Sequence, residues 1–301
     1  MKKNQNLNVE MYRVVDDLAP FVKVGYMDKN AEEHSGLMML DSGSEKNYLT
    51  DEVARHFSNR KRRTNPKTRT MDCTGEVLPV DLAHFSFILG GIQFCDFFGV
   101  NRDINFGCVG DIPIIGLLGV KFMQKHGLVI DYSNFTVHSS DLFITDLIQS
   151  ECDFIFPMGI GLDYYGVPVL AIHKNGTNTD AVAVADTGSM ANLISTQCIS
   201  LCNIKCAYKD GEDSMSGLKG NSEKCKCADM QFDLLTLQKD GCYGSVSFQD
   251  SFMVIDHSIA EAHLFSEQLE QNIEGFIGSP FMAKQGWTLD FAEKVIYKRK
   301  C

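Results

Sequence analysis

Residues 37–44 read LMMLDSGS, and residues 182–189 read VAVADTGS. In both segments four small or apolar residues precede Asp-[Ser/Thr]-Gly-Ser, and a further pair, Tyr-Leu or Leu-Ile, begins seven positions after the aspartate. An apolar strand that ends in Asp-[Ser/Thr]-Gly places a carboxylate at a tight turn, and the glycine lets a second backbone approach closely. The repeat therefore predicts two carboxylates, Asp41 and Asp186, in equivalent positions.

A second motif is also written twice, as GLLGVKFM in residues 116–123 and as GFIGSPFM in residues 275–282. In each copy another glycine follows eight residues after the second glycine, and an Asp-aromatic pair begins four residues later. Two motifs that recur in the same order indicate an internal duplication. We predict one domain over residues 1–150 and a second over residues 151–301, with the boundary near residues 140–158.

The local patterns predict a mostly β chain with short helices. Residues 21–26 and 167–172 are β-type runs, each followed by a polar turn and the strand that enters an aspartate motif, so each half is expected to open with a hairpin. Residues 82–92 and 94–100 are predicted as further strands. Helical spacing is expected after each aspartate motif, over Leu49, Val53 and Phe57 and over Ile194, Cys198 and Cys202, and a short helix after each Gly-x-x-Gly.

Paired carboxylates have a specific chemistry. Two carboxylates held close together cannot both ionise, so the pair titrates as a unit that holds one proton. The ionised group can take a proton from a bound water while the protonated group hydrogen-bonds a scissile carbonyl. This arrangement is suited to hydrolysis of an amide without a covalent intermediate.

These motifs resemble the aspartic proteases of the pepsin and retropepsin group over about residues 20–139 and 165–298. The resemblance implies an all-β, bilobal acid-protease fold of two pseudo-twofold-related, retropepsin-like lobes with short helices, and it places the catalytic pair on Asp41 and Asp186. It also implies that the hydroxyls of Ser42 and Thr187 brace the opposite loop. The other loop-support positions are Gly43, Ser44, Gly188 and Ser189, and the hydrophobic-hydrophobic-Gly motif falls on Leu117, Leu118, Gly119, Phe276, Ile277 and Gly278.

The first half departs from the pepsin pattern, because residues 51–110 contain neither the flap tyrosine nor any tryptophan. It is more similar to the retropepsin type, in which each lobe contributes a glycine-tipped flap. The flap candidates are Cys73, Thr74 and Gly75 in one half and Ser216, Gly217 and Leu218 in the other. Since one chain supplies both halves, it resembles bacterial two-lobed relatives and is expected to act as a monomer.

Composition limits the partners and the location of the protein. With 28 Lys and Arg against 39 Asp and Glu, the formal charge is −11, which disfavours general nucleic-acid binding. The run Arg60–Arg63 is expected to be a solvated loop rather than a nucleic-acid patch. No apolar run is long enough for a membrane span, and the basic start lacks the apolar core of an export signal. A cytoplasmic location is therefore predicted, unless a signal peptide has been lost by truncation.

The 11 cysteines are predicted to be mostly reduced and buried. Cys198, Cys202 and Cys206 with Cys225 and Cys227 could form a zinc site, but core packing is favoured because Cys198 and Cys202 fall at apolar positions of the other half. The histidines form no His-Glu-x-x-His pattern, and no nucleotide-binding motif occurs. We expect no metal and no cofactor, and we expect Asp131 and Asp290 to be structural.

The resulting functional prediction is an aspartic endopeptidase that acts on polypeptides. The alternative is a catalytically silent peptide-binding module, and a third reading is a processing enzyme that cuts a single partner. Ser44 and Ser189 carry a further expectation, an acidic pH optimum, because a hydroxyl that donates to the ionised carboxylate lowers the pKa values of the pair.

Overall fold

The computed structural model describes residues 6–12, 19–28, 30–56, 69–71, 77–102, 104, 106–141, 143–150, 152–159, 167–173, 180–216, 222–256 and 273–300. Strands dominate these residues, as the sequence predicts, and the helices are short. The elements of the first half are β1 (Asn8–Glu10), β2 (Phe21–Met27), β3 (Glu33–Leu40), β4 (Tyr48–Thr50), α1 (Asp51–His56), β5 (Arg69–Met71), β6 (Val77–Pro79), β7 (Asp81–Leu89), β8 (Ile92–Asn101), β9 (Cys108–Val109), β10 (Ile112–Leu118), α2 (Val120–His126), β11 (Leu128–Asp131) and β12 (Thr136–Ser139).

The second half repeats much of this order. Its elements are α3 (Ile144–Gln149), β13 (Cys152–Pro157), β14 (Val169–His173), β15 (Asp180–Asp186), β16 (Leu193–Ser195), α4 (Thr196–Leu201), β17 (Cys206–Tyr208), β18 (Asp213–Ser216), β19 (Ser222–Leu237), β20 (Tyr243–Ile255), β21 (Ile273–Gly278), α5 (Ser279–Gln285), β22 (Thr288–Asp290) and β23 (Val295–Arg299).

Each half forms a closed six-stranded barrel. In the first, the strands run β3-β2-β7-β8-β4-β10, and β10 pairs with β3 to close the ring. In the second, they run β14-β15-β21-β16-β20-β19, and β19 pairs with β14. When the strands are matched in chain order, both rings have the same neighbours and the same parallel contact between the aspartate strand and the Gly-x-x-Gly strand. The duplicated motifs therefore occupy equivalent places in two similar barrels.

A third sheet is built from both halves. Its order is β1-β12-β11-β22-β23-β13, so three strands come from each half and the antiparallel pair β11–β22 joins them. Large buried aromatic side chains pack together in each half and belong to one continuous hydrophobic cluster: Phe85, Phe87, Phe98 and Phe122 in the first half, and Phe156, Phe232, Phe281 and Trp287 in the second. Burial of such large apolar side chains is the main source of stability in a β fold of this kind.

The hairpins predicted at the start of each half are present, as β2–β3 and β14–β15. Short helices α2 and α5 follow the two Gly-x-x-Gly motifs. Both end at a glycine in the left-handed region, Gly127 with φ 59° and Gly286 with φ 64°. The repeated glycine eight residues after each motif is thus a helix C-cap.

Two local predictions need correction. Leu49 and Ile194 lie in strands β4 and β16, and the helices α1 and α4 begin only at Asp51 and Thr196. Three apolar residues at helical spacing also fit a short strand followed by one helical turn, which the pattern could not distinguish. The run 82–92 is not one strand either, because β7 ends at Leu89 and a turn at Gly90 and Gly91, both with positive φ, leads into β8. Phe57 lies outside the described residues.

Candidate functional site

Asp41 and Asp186 stand at the ends of the two equivalent barrel strands β3 and β15. The backbone N–H of Asp41 donates to Leu118 O at 2.9 Å, so strand β10 anchors the first loop. In each loop the aspartate Oδ1 accepts a hydrogen bond from the glycine two residues later, from Gly43 N at 2.9 Å and from Gly188 N at 2.8 Å. Both carboxylates are therefore held in a fixed orientation by their own loops.

The two loops are locked together by reciprocal hydrogen bonds of Ser42 and Thr187. Ser42 N donates to Thr187 Oγ1 at 2.9 Å, and Thr187 N donates to Ser42 Oγ at 2.8 Å. Each hydroxyl then donates across to the strand of the other half, Ser42 Oγ to Ala185 O at 2.5 Å and Thr187 Oγ1 to Leu40 O at 2.6 Å. Both side chains are fully buried, so these bonds are shielded from water.

Each carboxylate lies against the glycine of the opposite loop. A Cβ added to Gly43 would lie 2.4 Å from Cγ of Asp186, and a Cβ added to Gly188 would lie 2.6 Å from Oδ1 of Asp41. Real Cβ atoms do not approach other atoms this closely, so glycine at both positions is what allows the loops to meet. The two aspartates are thus brought together at the junction of the halves, as the sequence predicted.

The pair is electrostatically strained. Burial and then the neighbouring Asp186 charge raise the pKa of Asp41 well above the usual aspartate range. Burial also raises the pKa of Asp186, although the backbone N–H of Gly188 and a hydrogen bond from Asp41 oppose that rise. Burial and mutual repulsion both disfavour a second negative charge on the pair, so these pKa shifts favour a state in which the two carboxyl groups hold one proton between them.

The hydrophobic-hydrophobic-Gly motifs lie directly behind the two loops, beside β3 and β15. Val120 N donates to Ser44 O at 2.8 Å and Ser279 N donates to Ser189 O at 2.9 Å, so the residue after each motif holds the end of its loop. Leu118 and Ile277 are fully buried, and Leu117 and Phe276 are nearly so. A Cβ on Gly119 would lie 2.4 Å from Lys46 O, so here too the glycine is required by close packing.

Asn47 and Asn192 are support residues that the sequence analysis missed. Asn47 Oδ1 accepts from Gly119 N, and Asn192 Oδ1 accepts from Gly278 N, both at 2.9 Å. Each amide joins an aspartate loop to the glycine motif behind it. The signal was present, because an asparagine occurs six residues after the aspartate in both copies.

A second missed group links the halves on one side only. Ser279 Oγ donates to Thr187 O at 2.6 Å and lies 2.6 Å from the hydroxyl of Tyr132. Tyr132 belongs to the first half and Ser279 to the second, and both are buried. The corresponding residues in the other copy are Phe291 and Val120, which have no hydroxyl. Comparison of the repeats could not reveal this link because it is not repeated.

The prediction that the hydroxyls of Ser44 and Ser189 donate to the carboxylates is wrong. Their hydroxyls donate to the carbonyl oxygens of Lys46 at 2.8 Å and Ala191 at 2.7 Å, within their own turns, instead of to the carboxylates. It is the backbone N–H groups of Ser44 and Ser189 that act to lower the pKa of the aspartates. A serine placed two residues before an available carbonyl satisfies its hydroxyl locally, so the argument for an acidic optimum loses its basis.

The flap candidates fall largely outside the described residues. Cys73, Thr74, Gly75, Gly217 and Leu218 are not described, and neither is the basic run at residues 60–63. On either side of the first candidate, β5 pairs with β6, with Met71 opposite Val77. On either side of the second, β18 pairs with β19, and Ser216 is the last residue of β18, opposite Ser222. In chain order the first candidate falls between two paired antiparallel strands and the second begins at the last residue of β18, and their assignment as flaps stays a prediction.

The cysteines support core packing over a metal site. Cys198 and Cys202 are buried in the second barrel, where a hydrogen bond between the thiols, together with burial, raises the pKa of Cys198. Within the described residues, the three-residue cluster with metal-ligand geometry is Asp28, Glu32 and His34, on the surface of the first barrel and without any cysteine. The nine cysteines that the structure describes are free thiols, but only Cys198, Cys202 and Cys225 are buried, so the prediction that most of them would be buried is wrong for this part of the chain.

Asp131 and Asp290 have structural roles, as predicted. Oδ1 of Asp131 accepts from Ser133 N, and Oδ1 of Asp290 accepts from Ala292 N, so each carboxylate closes the turn after its strand. Asp290 is fully buried and also accepts from Ser140 Oγ at 2.6 Å. Burial raises the pKa of Asp290, but the side chain lies in the sheet shared by the halves and not with the paired aspartates.

No protein-family model matches this chain, and no curated protein matches its sequence. Among the described residues, no helix has the length and apolar character needed to cross a membrane.

Proposed function

We propose that this protein is an aspartic endopeptidase and that Asp41 and Asp186 form its catalytic pair. The main supporting observation is the pair of reciprocal hydrogen bonds between Ser42 and Thr187. These bonds hold two strand-end carboxylates against each other at the junction of two similar barrels. Two aspartates with a purely structural role in their turns would not favour such an arrangement, because bringing two carboxylates together costs free energy. The matching strand order of the barrels supports the acid-protease fold as part of the same proposal.

In the proposed mechanism the pair starts with one proton. The ionised carboxylate takes a proton from a water molecule held between the two groups, and the protonated carboxyl donates to the carbonyl oxygen of a peptide bond. The water oxygen attacks the carbonyl carbon, and the proton taken from it is then delivered to the leaving nitrogen. The backbone N–H groups of Gly43 and Gly188 keep the carboxylates in position throughout.

The test is cleavage of an unfolded protein by the full chain, with Asp41→Asn and Asp186→Asn as the variants. Each substitution should remove most of the activity, by about 10³-fold or more, because an amide cannot take a proton from water. Pepstatin, a peptide that mimics the tetrahedral intermediate, should inhibit the wild type. Asp111→Asn is the matched control, since Asp111 is an exposed loop residue far from the pair in sequence, and it should retain full activity.

The same variants provide a check on folding. A carboxyl with a raised folded-state pKa favours the native state when protonated, and this stability is lost as the pH rises from the ordinary pKa through the raised value. The asparagine variants lack that loss, so at neutral pH they should unfold at the same temperature as the wild type or higher. Full cleavage by either variant would contradict the proposal, and binding of pepstatin without cleavage by the wild type would favour the silent peptide-binding module.

We further propose that one chain carries a complete site and acts as a monomer. Activity per mole should then stay constant on dilution to low nanomolar concentration. Loss of specific activity on dilution, together with a dimer in sedimentation, would indicate instead that two Asp41 loops pair between chains.

A further inference from the structure

The outer face of the β7–β8 hairpin carries a cysteine in direct contact with a histidine. The sulfur of Cys95 lies 2.9 Å from Nε2 of His84, and the hydroxyl of Ser86 donates to the same sulfur at 3.3 Å. Ser86 and Cys95 are opposite each other in the strand pair, and His84 is opposite Phe97. Regular strand pairing therefore fixes the three side chains on one face of the barrel wall.

This arrangement places a proton acceptor and a hydrogen-bond donor at the sulfur of Cys95. The thiolate is the reactive form of cysteine, and a neighbouring imidazole that accepts the thiol proton, with a hydroxyl that donates to the sulfur, stabilises it. The ring of Phe97 packs edge-on against His84, with 5.2 Å between ring centroids, and limits the orientations of the imidazole. Cys95 is exposed to solvent, so a small reagent can reach the sulfur.

Two other exposed cysteines lack these contacts. Cys108 is in the short strand β9, and Cys242 is in the turn between β19 and β20. Over the described ranges, neither thiol contacts an imidazole, and the contact seen at Cys242 is its backbone N–H donating to Asp240. The chain thus contains its own comparison between a thiol with a base and two exposed thiols without one.

We propose that Cys95 is a modification site that reacts with low-molecular-weight disulfides such as oxidised glutathione, with His84 as the base. His84 takes the thiol proton, and the Cys95 sulfur attacks one sulfur of the disulfide. The new bond joins Cys95 to one half of the reagent, and the disulfide bond of the reagent breaks. The released half leaves as a thiolate and takes the proton from His84, so the products are a mixed disulfide and one free thiol. This thiol chemistry does not depend on the aspartate pair.

The test measures the reaction of each cysteine in the full, folded chain by mass spectrometry of its peptides. Under limiting iodoacetamide, Cys95 should react about tenfold faster than Cys108 or Cys242, because the imidazole at its sulfur can take the thiol proton as the sulfur attacks the reagent. With oxidised glutathione as the second probe, the mixed disulfide should form first at Cys95. His84→Gln should reduce the rate at Cys95 to that of the other exposed cysteines, and Ser86→Ala should cause a smaller decrease.

The buried thiols Cys198 and Cys202 report on folding in the same experiment, because they should stay unmodified in every folded variant. If His84→Gln exposes them, Ser86→Ala and the ranking of the three exposed thiols in the wild type still decide the question. Equal rates at Cys95, Cys108 and Cys242 in the wild type would overturn the proposal. An unchanged Cys95 rate in a folded His84→Gln variant would do the same.

Discussion

The loops of Asp41 and Asp186 make the same set of hydrogen bonds, whereas the residues directly behind them do not match. The glycine, serine and asparagine contacts occur twice at almost equal distances. Behind the second loop, however, Ser279 joins Thr187 to Tyr132, while the first loop has the apolar residues Val120 and Phe291 in those places. The difference indicates that the geometry around the carboxylates tolerates little change, and that the supporting layer can differ so long as it is filled.

After substitution of the aspartates themselves, the largest expected effect concerns the two loop glycines. Gly43→Ala and Gly188→Ala each place a methyl group where the opposite carboxylate lies. Both should lose activity by about 10²-fold or more, since a displacement of about 1 Å at reacting groups is enough for such a loss. Gly25→Ala is the control, because its Cβ would be 3.8 Å from the nearest atom. Peptide-cleavage rates that fall in only one of the two loop variants would show that the loops are not equivalent.

The reciprocal hydrogen bonds of Ser42 and Thr187 predict that a substitution at either residue causes a large loss of stability. Ser42→Ala leaves the buried Thr187 N–H without its acceptor, and Thr187→Val does the same to Ser42 N–H. Each should lower the free energy of unfolding by about 2–4 kcal/mol, because each removes two hydrogen bonds and leaves buried polar groups unpaired. Urea unfolding of both variants measures this. If the losses of unfolding free energy in the two variants differ by more than twofold, one of the two residues provides most of the stabilisation.

The hydrogen bond between Tyr132 and Ser279, which has no equivalent in the other copy, predicts a smaller loss of stability at these positions than at Ser42 and Thr187. Tyr132→Phe removes a hydroxyl that lies 2.6 Å from Ser279 Oγ and should cost about 1 kcal/mol of unfolding free energy. Phe291→Tyr, the equivalent change in reverse, brings a hydroxyl to a buried apolar position and should gain nothing. Because Tyr132 and Ser279 share a bond, the double variant Tyr132→Phe with Ser279→Ala should cost less than the two single changes added together. Full additivity would contradict the link.

The smallest expected effect is on the pH profile. Since the hydroxyls of Ser44 and Ser189 donate to Lys46 O and Ala191 O, the double variant Ser44→Ala with Ser189→Ala should leave the acid limb of the cleavage profile where it is. Burial raises the pKa of both aspartates, so that limb should lie above about 4, the ordinary aspartate value. An upward shift in the double variant would show that the hydroxyls reach the carboxylates after all.

Features that occur in both copies of the sequence repeat could be predicted from it, and features that occur in one copy could not. The paired aspartates and the opening hairpins followed from the repeat, which also marked Gly127 and Gly286 but did not predict their role as helix C-caps. Asn47 and Asn192 could have been found in the same way. The link from Tyr132 to Ser279 joins residues 147 positions apart in sequence, and such a contact leaves no local pattern.

The helices after the aspartate motifs show a different limit. Leu49 and Ile194 fit the helical spacing, yet their backbones pair with the Gly-x-x-Gly strands β10 and β21. Barrel closure requires that pairing, and the requirement of the whole barrel overrides the local period. The orientation of the Ser44 and Ser189 hydroxyls was also beyond the sequence, since a serine in a turn has several acceptors within reach.

The sheet shared by the two halves has a consequence for separated fragments. A break in the chain between β12 and β13 would leave each fragment with three of the six strands of the shared sheet. The edge strand, β11 in the first fragment and β22 in the second, would then expose unpaired N–H and C=O groups. Such an edge pairs readily with any matching strand, including a second copy of itself. Two copies of the first half joined through β11 would reproduce the pairing of β11 with β22, so each half has the form of a protomer and the intact chain that of a covalently linked dimer.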